Sequence, residues 1–244
     1  MCFAIRREVT LEDHERDLAG LNGVHIELAL PHRLEDHLAK RGNLDSLAAC
    51  VEKLEISCPS VHAPQGRLSD AAFLSWARET VRFAETVKAR VIVFHPESAP
   101  LLERPALQLL AVRHLMELQR DTAVRVAVET FGNRKRILRP EELGEKGMWM
   151  VLDTSHVFPE RIAALIDGYH GCLAGIHLSE MRKEAATGET RPHLPVESYG
   201  LHVLMKLREK GWSGAVTLEY LPEYHHRLLQ DRNALEALFE NAKG

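Results

Sequence analysis

Short apolar runs rich in β-branched residues alternate along this chain with longer segments of helical period. The runs predict strands over Cys2–Arg6, Gly23–Leu30, Ile56–Ala63, Arg90–Pro96, Val124–Phe131, Met148–His156, Leu173–Ser179 and Gly214–Leu221. Val91-Ile-Val-Phe94 and Val124-Arg-Val-Ala-Val128 have no polar face wide enough for solvent, so they read as strands covered by helices. Between them the pattern predicts helices. Leu68–Lys88 has Ser69 and Asp70 as candidate caps and an apolar stripe of Phe73, Leu74, Ala77, Val81, Phe83 and Ala84. Pro105–Gln119 opens on a proline, which a first turn accepts. Leu201–Lys210 stops at Gly211, and Leu228–Ala242 closes the chain. Segments near Leu11–Leu21, Leu44–Leu54, Pro140–Lys146 and Pro159–Gly168 bring the helices to eight. Eight strands alternating with eight helices predict a (β/α)8 TIM barrel, with a doubly wound sheet as the main rival. No Gly/Ser/Pro-rich linker breaks the chain, so residues 1–244 are expected to form one domain.

Composition narrows the class. The chain is 45% hydrophobic and 27% charged, which excludes a disordered or collagen-like protein. No apolar run is long enough for a membrane span, and the start does not read as a signal peptide. Cys2, Cys50, Cys58 and Cys172 make no C-x-x-C motif, so a cytoplasmic protein is expected. The net charge of −4 gives no reason to expect nucleic acid. There are 14 histidines, and histidine is the commonest metal ligand and the usual neutral-pH acid or base.

Their placement carries more than their number. From the third strand onward, each strand ends in an Asp, Glu or His: His62, His95, Glu129, Asp153, His177 and Glu219. A barrel's active site lies at these strand ends. Side chains alternate along a strand, so Ser60, Val93, Ala127, Val151, Gly175 and Thr217 are expected beneath them, all small or β-branched. Any one of the six reads as a hydrogen-bonded strand-end residue. Six together, buried in one mouth, would be costly without compensation, and a metal ion supplies it. Carboxylates with imidazole suit Mn, Mg, Co or Zn as the divalent ion.

At these residues the chain resembles the xylose isomerase-like TIM-barrel superfamily (AP endonuclease family 2; sugar phosphate isomerase/epimerase). The resemblance spans nearly the whole chain. It is carried by His-Ala-Pro at His62, Val-Phe-His-Pro at His95, Val-Ala-Val-Glu-Thr at Glu129, Leu-Asp-Thr-Ser-His at Asp153 and His156, Ile-His-Leu at His177, Arg-Pro-His-Leu-Pro at His193 and Thr-Leu-Glu at Glu219. In the isomerase and epimerase branch it implies one metal held by Glu129, Asp153, His177 and Glu219. Metal contact to a sugar carbonyl and its neighbouring hydroxyl acidifies the C–H between them. Glu129 and Glu219 would then move the proton through an enediolate, with His156, Arg191 and His193 contacting substrate. In the nuclease branch it implies that His62 and His95 hold a further metal bridged by Glu129. A third metal there uses an Asp-x-His pair, which here reads Arg191-Pro192-His193, a substitution that weighs against a three-metal cluster. The expectation is therefore a metal-dependent isomerase or epimerase of a sugar or sugar phosphate. An endonuclease IV-like phosphodiesterase acting on abasic DNA and a sugar-acid dehydratase are the alternatives, and a homo-oligomer is left open.

Other features carry less. The run Asn133–Arg139 has four cations that could grip a phosphate, or could simply line a solvated loop. Glu27, Glu180 and Arg182 read as strand-end or loop residues near the mouth, with His25 as a core-facing partner of Glu27. His14, His32, His37, His114, His170, His202, His225 and His226 fall on helices or outer loops, the last two beginning a polar helix. There is no G-x-S-x-G, phosphate loop or dinucleotide fingerprint, which argues against hydride transfer and ATP chemistry.

Overall fold

The structure is a computed structural model that describes residues 1–132, 135–183 and 189–240. Strands form at all eight expected places: β1 (Cys2–Glu8), β2 (His25–Ala29), β3 (Ser57–His62), β4 (Val91–Phe94), β5 (Arg125–Glu129), β6 (Met150–Asp153), β7 (Leu173–Leu178) and, at the end of the series, β10 (Ala215–Leu218). They close into a barrel in the order β1-β10-β7-β6-β5-β4-β3-β2, the (β/α)8 TIM barrel. The apolar runs explain the choice, because all four residues of β4 and all six of β7 are buried, as strands packed on both faces must be. The remaining two strands, β8 (Glu180–Lys183) and β9 (Thr190–Leu194), pair antiparallel as a separate ribbon. Their polar composition has no alternation, so the sequence pattern did not predict them.

Helices follow as α1 (His14–Leu18), α2 (Leu34–Lys40), α3 (Leu44–Lys53), α4 (Phe73–Thr86), α5 (Arg104–Arg120), α6 (Pro140–Glu145), α7 (Pro159–Tyr169), α8 (Ser198–Glu209) and α9 (Leu228–Glu240). Three expectations need correction. The helix expected from Leu68 starts at Phe73, because Glu97 takes the backbone N–H groups of Leu68 and Ser69, and Asp70 Oδ1 takes that of Ala72. Those bonds hold 68–72 as a turn rather than a first helical turn. The pattern also missed α2, whose buried residue is His37 and which therefore shows no apolar stripe. His225 and His226 lie in a 3-10 turn over Pro222–Arg227, ahead of α9. Residues 241–242 of the expected last helix lie outside the described residues.

The described residues fall into two compact units. One comprises residues 7–129 and 135–139. Its core includes edge-to-face contacts of Phe73 with Trp76 and Phe94, and His114 stacks on Phe73 while its Nδ1 bonds the Leu68 carbonyl at 2.8 Å. The other comprises residues 1–6, 130–132 and 140 onward. There Trp212 Nε1 donates to the Leu173 carbonyl at 3.0 Å, and Ile162, Ile166, Leu204 and Leu207 are buried.

Register places the strand-end residues within each unit. In the first, His62 pairs with Val93, and Val93 with Ala127. In the second, Asp153 pairs with His177, and His177 with Thr217. His62 is thus level with the residue two before His95, and Thr217 is level with two polar strand ends. All six residues expected beneath the site are buried; within the units Val93 is level with Ala127 and Val151 with Gly175, while Ser60 and Thr217 are each offset by two residues.

Candidate metal centre

In the unit containing β3 to β5, three predicted residues meet. His62 ends β3 and Glu129 ends β5, while His95 follows β4. Glu129 Oε2 lies 3.0 Å from His62 Nε2 and 2.5 Å from His95 Nε2. His62 and Glu129 are buried, 2% and 1% exposed. The other nitrogen of His62, Nδ1, lies 3.1 Å from the Ala63 carbonyl. A carbonyl only accepts, so Nδ1 carries a proton. The neutral ring then turns the lone pair of Nε2 towards a carboxylate oxygen. A proton or a metal ion between them resolves that clash, and a backbone carbonyl on the far nitrogen is the usual support of a metal-binding histidine.

Neighbouring groups hold this cluster in place. Gln65 Nε2 is 3.0 Å from His95 Nδ1, and the His32 ring stands edge-on to His95. Arg136 is half-buried, and burial pushes its guanidinium below its ordinary range while the charge of Glu129 opposes that shift. Its Nη1 donates to the Pro96 carbonyl at 2.6 Å. This cation of the 133–139 run turns inward instead of lining a solvated loop. Asn133 and Arg134 lie outside the described residues. Glu27 is 1% exposed and accepts from Ser60 Oγ at 2.6 Å, so it braces the strand beneath His62.

The second unit gathers Asp153 at the end of β6, His177 on β7 and Glu219 just past β10. One ligand atom from each lies within 4.8 Å of the others. Asp153 is fully buried. Its Oδ1 accepts from Ser155 N at 2.6 Å, Ser155 Oγ at 2.8 Å and His156 N at 3.2 Å. The turn after β6 thus saturates one oxygen and fixes the direction of the other. His177 Nδ1 and Glu219 Oε2 are 3.1 Å apart yet lack the alignment of a hydrogen bond. Two carboxylates and one imidazole converging in this way fit a hard or borderline divalent cation.

Around this trio, Arg6 at the C-terminal half of β1 donates from Nη1 to Glu219 Oε1 at 2.5 Å. His156 Nε2 is 3.8 Å from Asp153 Oδ2, and its ring stacks on Phe131. His193 stands edge-on to His156, with Nδ1 3.3 Å from Ser155 Oγ and 3.8 Å from Glu219 Oε1. His193 takes φ of +57°, a left-handed backbone that costs a non-glycine residue about 1 kcal/mol. The β8–β9 ribbon and the Leu221 N–H bonded to the His193 carbonyl keep it there. Asp153, His156 and His193 form a further group of converging ligand atoms.

Arg191 lies apart from these contacts. Its guanidinium pairs with Glu223 and stands over the Tyr224 ring. Glu180 caps α8, accepting from Glu197 N at 2.6 Å and Gly200 N at 3.2 Å, and Arg182 pairs with Glu197. Sequence reasoning missed Arg6, His32 and Gln65. Arg6 offered one signal, a cation directly after the apolar run Cys2–Ile5 of the first strand. His32 and Gln65 offered none.

Comparison with known proteins gives a consistent picture. The family model described as xylose isomerase-like TIM barrel matches residues 17–240. No curated protein matches the chain. Among solved structures, a D-tagatose 3-epimerase-like protein aligns with TM-score 0.70 at 17% identity, covering 100% of this chain and 98% of that one. The 3-keto-D-glucoside 4-epimerase of E. coli aligns with TM-score 0.68 at 12% identity over 98% and 99%. Endonuclease IV from Thermus thermophilus aligns with TM-score 0.63 at 14% identity over 97% and 100%. At such identities the likeness to these structures is one of fold.

Proposed function

The chain belongs to the xylose isomerase-like TIM-barrel family, and from that premise we propose that it is a divalent-metal-dependent isomerase or epimerase of a sugar or sugar phosphate. The observation that carries this reading is the convergence of Asp153, His177 and Glu219 within 4.8 Å, with one oxygen of each carboxylate already engaged by protein donors. Glu129 is the proposed fourth ligand, on the family resemblance. The chemistry of the donor set fits Mn, Mg, Co or Zn. Bound there, the cation would polarise a carbonyl and its adjacent hydroxyl and so acidify the C–H between them.

The chain's own residues supply the rest of the reading. Glu219 is the proposed proton carrier on one side of the substrate, oriented by Arg6. Glu129, flanked by His62 and His95, is its counterpart. His156 and His193 are proposed to contact substrate hydroxyls, and Arg191 would have to leave Glu223 to do so. This reading places the protein in cytoplasmic carbohydrate metabolism. Among the described residues no helix is long and apolar enough to cross a membrane.

The test is solvent-deuterium incorporation into a panel of aldoses, ketoses and their phosphates with added metal. The wild type is expected to exchange one carbon-bound proton, and Glu129→Gln and Glu219→Gln to lose that exchange by a hundredfold or more. Unchanged exchange in both variants overturns the assignment. A second reading, a metal-dependent phosphodiesterase, draws on the two additional ligand groups, His62–His95–Glu129 and Asp153–His156–His193. Two or three zinc ions per chain, with abasic-DNA incision abolished in His95→Ala, would favour it over the first.

A further inference from the structure

A helix on the outside of a barrel normally buries one stripe and offers water a polar face. Helix α5 departs from this. Its inner face buries Ala111, His114, Leu115 and Leu118. Its opposite face begins with Leu102 in the preceding turn and continues through Leu109 and Met116, exposed by 97%, 71% and 62%. Pro105 and Ala106 lie exposed between them, and Val112 is partly exposed. Of the ten large hydrophobic residues exposed among the described residues, five fall between Leu101 and Met116. That concentration marks a surface, because singly scattered apolar residues would be spread over all the helices.

We infer that the outward face of α5 is the two-fold interface of a homodimer, packed antiparallel on the same helix of a second copy. Leu102, Leu109 and Met116 recur every seven residues, the spacing that keeps a seam facing a partner helix. A two-fold axis through Leu109 sets Leu102 against Met116 of the other copy at both ends, and Leu109 against itself. The stripe is about 20 Å long at 1.5 Å per residue. Its exposed apolar side chains present on the order of 600 Å², close to the roughly 800 Å² per partner of a stable interface.

Charge selects this partner and orientation. Glu103 and Arg113 are both exposed and flank the stripe. In the antiparallel arrangement Arg113 of each copy reaches Glu103 of the other. A parallel pair would set like charges together. A membrane surface would call for a basic rim around the apolar face. This rim mixes Glu103 and Glu117 with Arg113 and Arg120, in a chain of net charge −4, so it lacks the uniformly basic border.

Sedimentation velocity from micromolar to hundred-micromolar protein tests the inference. The wild type should sediment at twice the 27.5 kDa chain mass. Leu109→Asp should raise the dimer dissociation constant by at least about tenfold while its thermal melt, compared at concentrations where both proteins are monomeric, stays unchanged, since the side chain lies in solvent in the monomer. Glu103→Arg and Arg113→Glu should each weaken association, and the double exchange should restore it. Leu109→Cys, treated with oxidised glutathione, should form a disulfide-linked dimer that the wild type does not form. A wild type that stays monomeric at the highest concentration overturns the inference. So does a dimer that survives Leu109→Asp, or a monomer that binds anionic vesicles through this face. None of these readouts depends on the proposed reaction.

Discussion

Asp153 illustrates how a buried carboxylate is oriented by the chain around it. It takes three donors on one oxygen from the two residues that follow Thr154, so its geometry is local to the segment Leu-Asp-Thr-Ser-His. Glu219 is oriented differently, by a residue 213 positions away. That contact is invisible to sequence spacing, because only barrel closure brings β1 beside β10. On the proposed reaction Arg6 acts as a positioning residue, and Arg6→Gln should lower turnover by about ten- to a hundredfold while metal affinity, measured by calorimetry, changes by only a few-fold. Arg6→Lys should recover part of the loss. An equal collapse of metal affinity would mean that Arg6 holds the fold of the site instead. His37 carries a separate expectation. It is fully buried, and neither ring nitrogen has a hydrogen-bond partner, a situation that costs about 1–3 kcal/mol. His37→Leu should therefore be neutral or stabilising in a thermal melt.

The elements were legible wherever one face is apolar. All eight barrel strands appear at their expected places, most plainly β4 and β10, where burial on both faces reads as a short apolar run. The ends were less legible. Residues 154–156 continue the sequence of β6, but Asp153 Oδ1 captures the N–H groups of Ser155 and His156 and ends the ladder. The β8–β9 ribbon was missed because it is polar, and its backbone pairing leaves no trace in side-chain pattern. It nevertheless carries His193 and supplies Glu180 as the cap of α8. Glu180→Ala should cost about 1 kcal/mol, the value of a lost cap. That is roughly a 2–4 °C fall in melting temperature for a chain of this size. No change in the melt would show that water replaces the cap at no cost.

At the scale of the whole molecule, two perturbations should act on stability. Burial, followed by the weaker opposing charge of Glu79 and the assisting charge of Arg41, holds His37 below its ordinary 6.5. The unfolded chain then takes up this proton first. Stability from neutral His37 is present above 6.5 and is lost as pH falls below that value. Chemical denaturation over this range should show a shallower acid decline in His37→Leu than in the wild type. An equally steep decline would remove His37 as the cause. Metal should act in the opposite sense. Saturation at a hundred times its dissociation constant adds about 2.7 kcal/mol, so chelation should lower the melting temperature and re-addition should restore it. A melt indifferent to chelator would count against any metal held by Asp153, His177 and Glu219. The sequence by itself determined the barrel, since apolar period and strand length follow from local composition, and it determined which strand ends carry candidate ligands. Tertiary structure alone decided which of those side chains meet and how each is held. Register sets His62 level with Val93 and Asp153 level with His177, and partners that aim the ligand atoms come from other strands. The physical reason is range. Periodicity records what a residue buries, whereas the direction of a carboxylate depends on donors that only folding brings near.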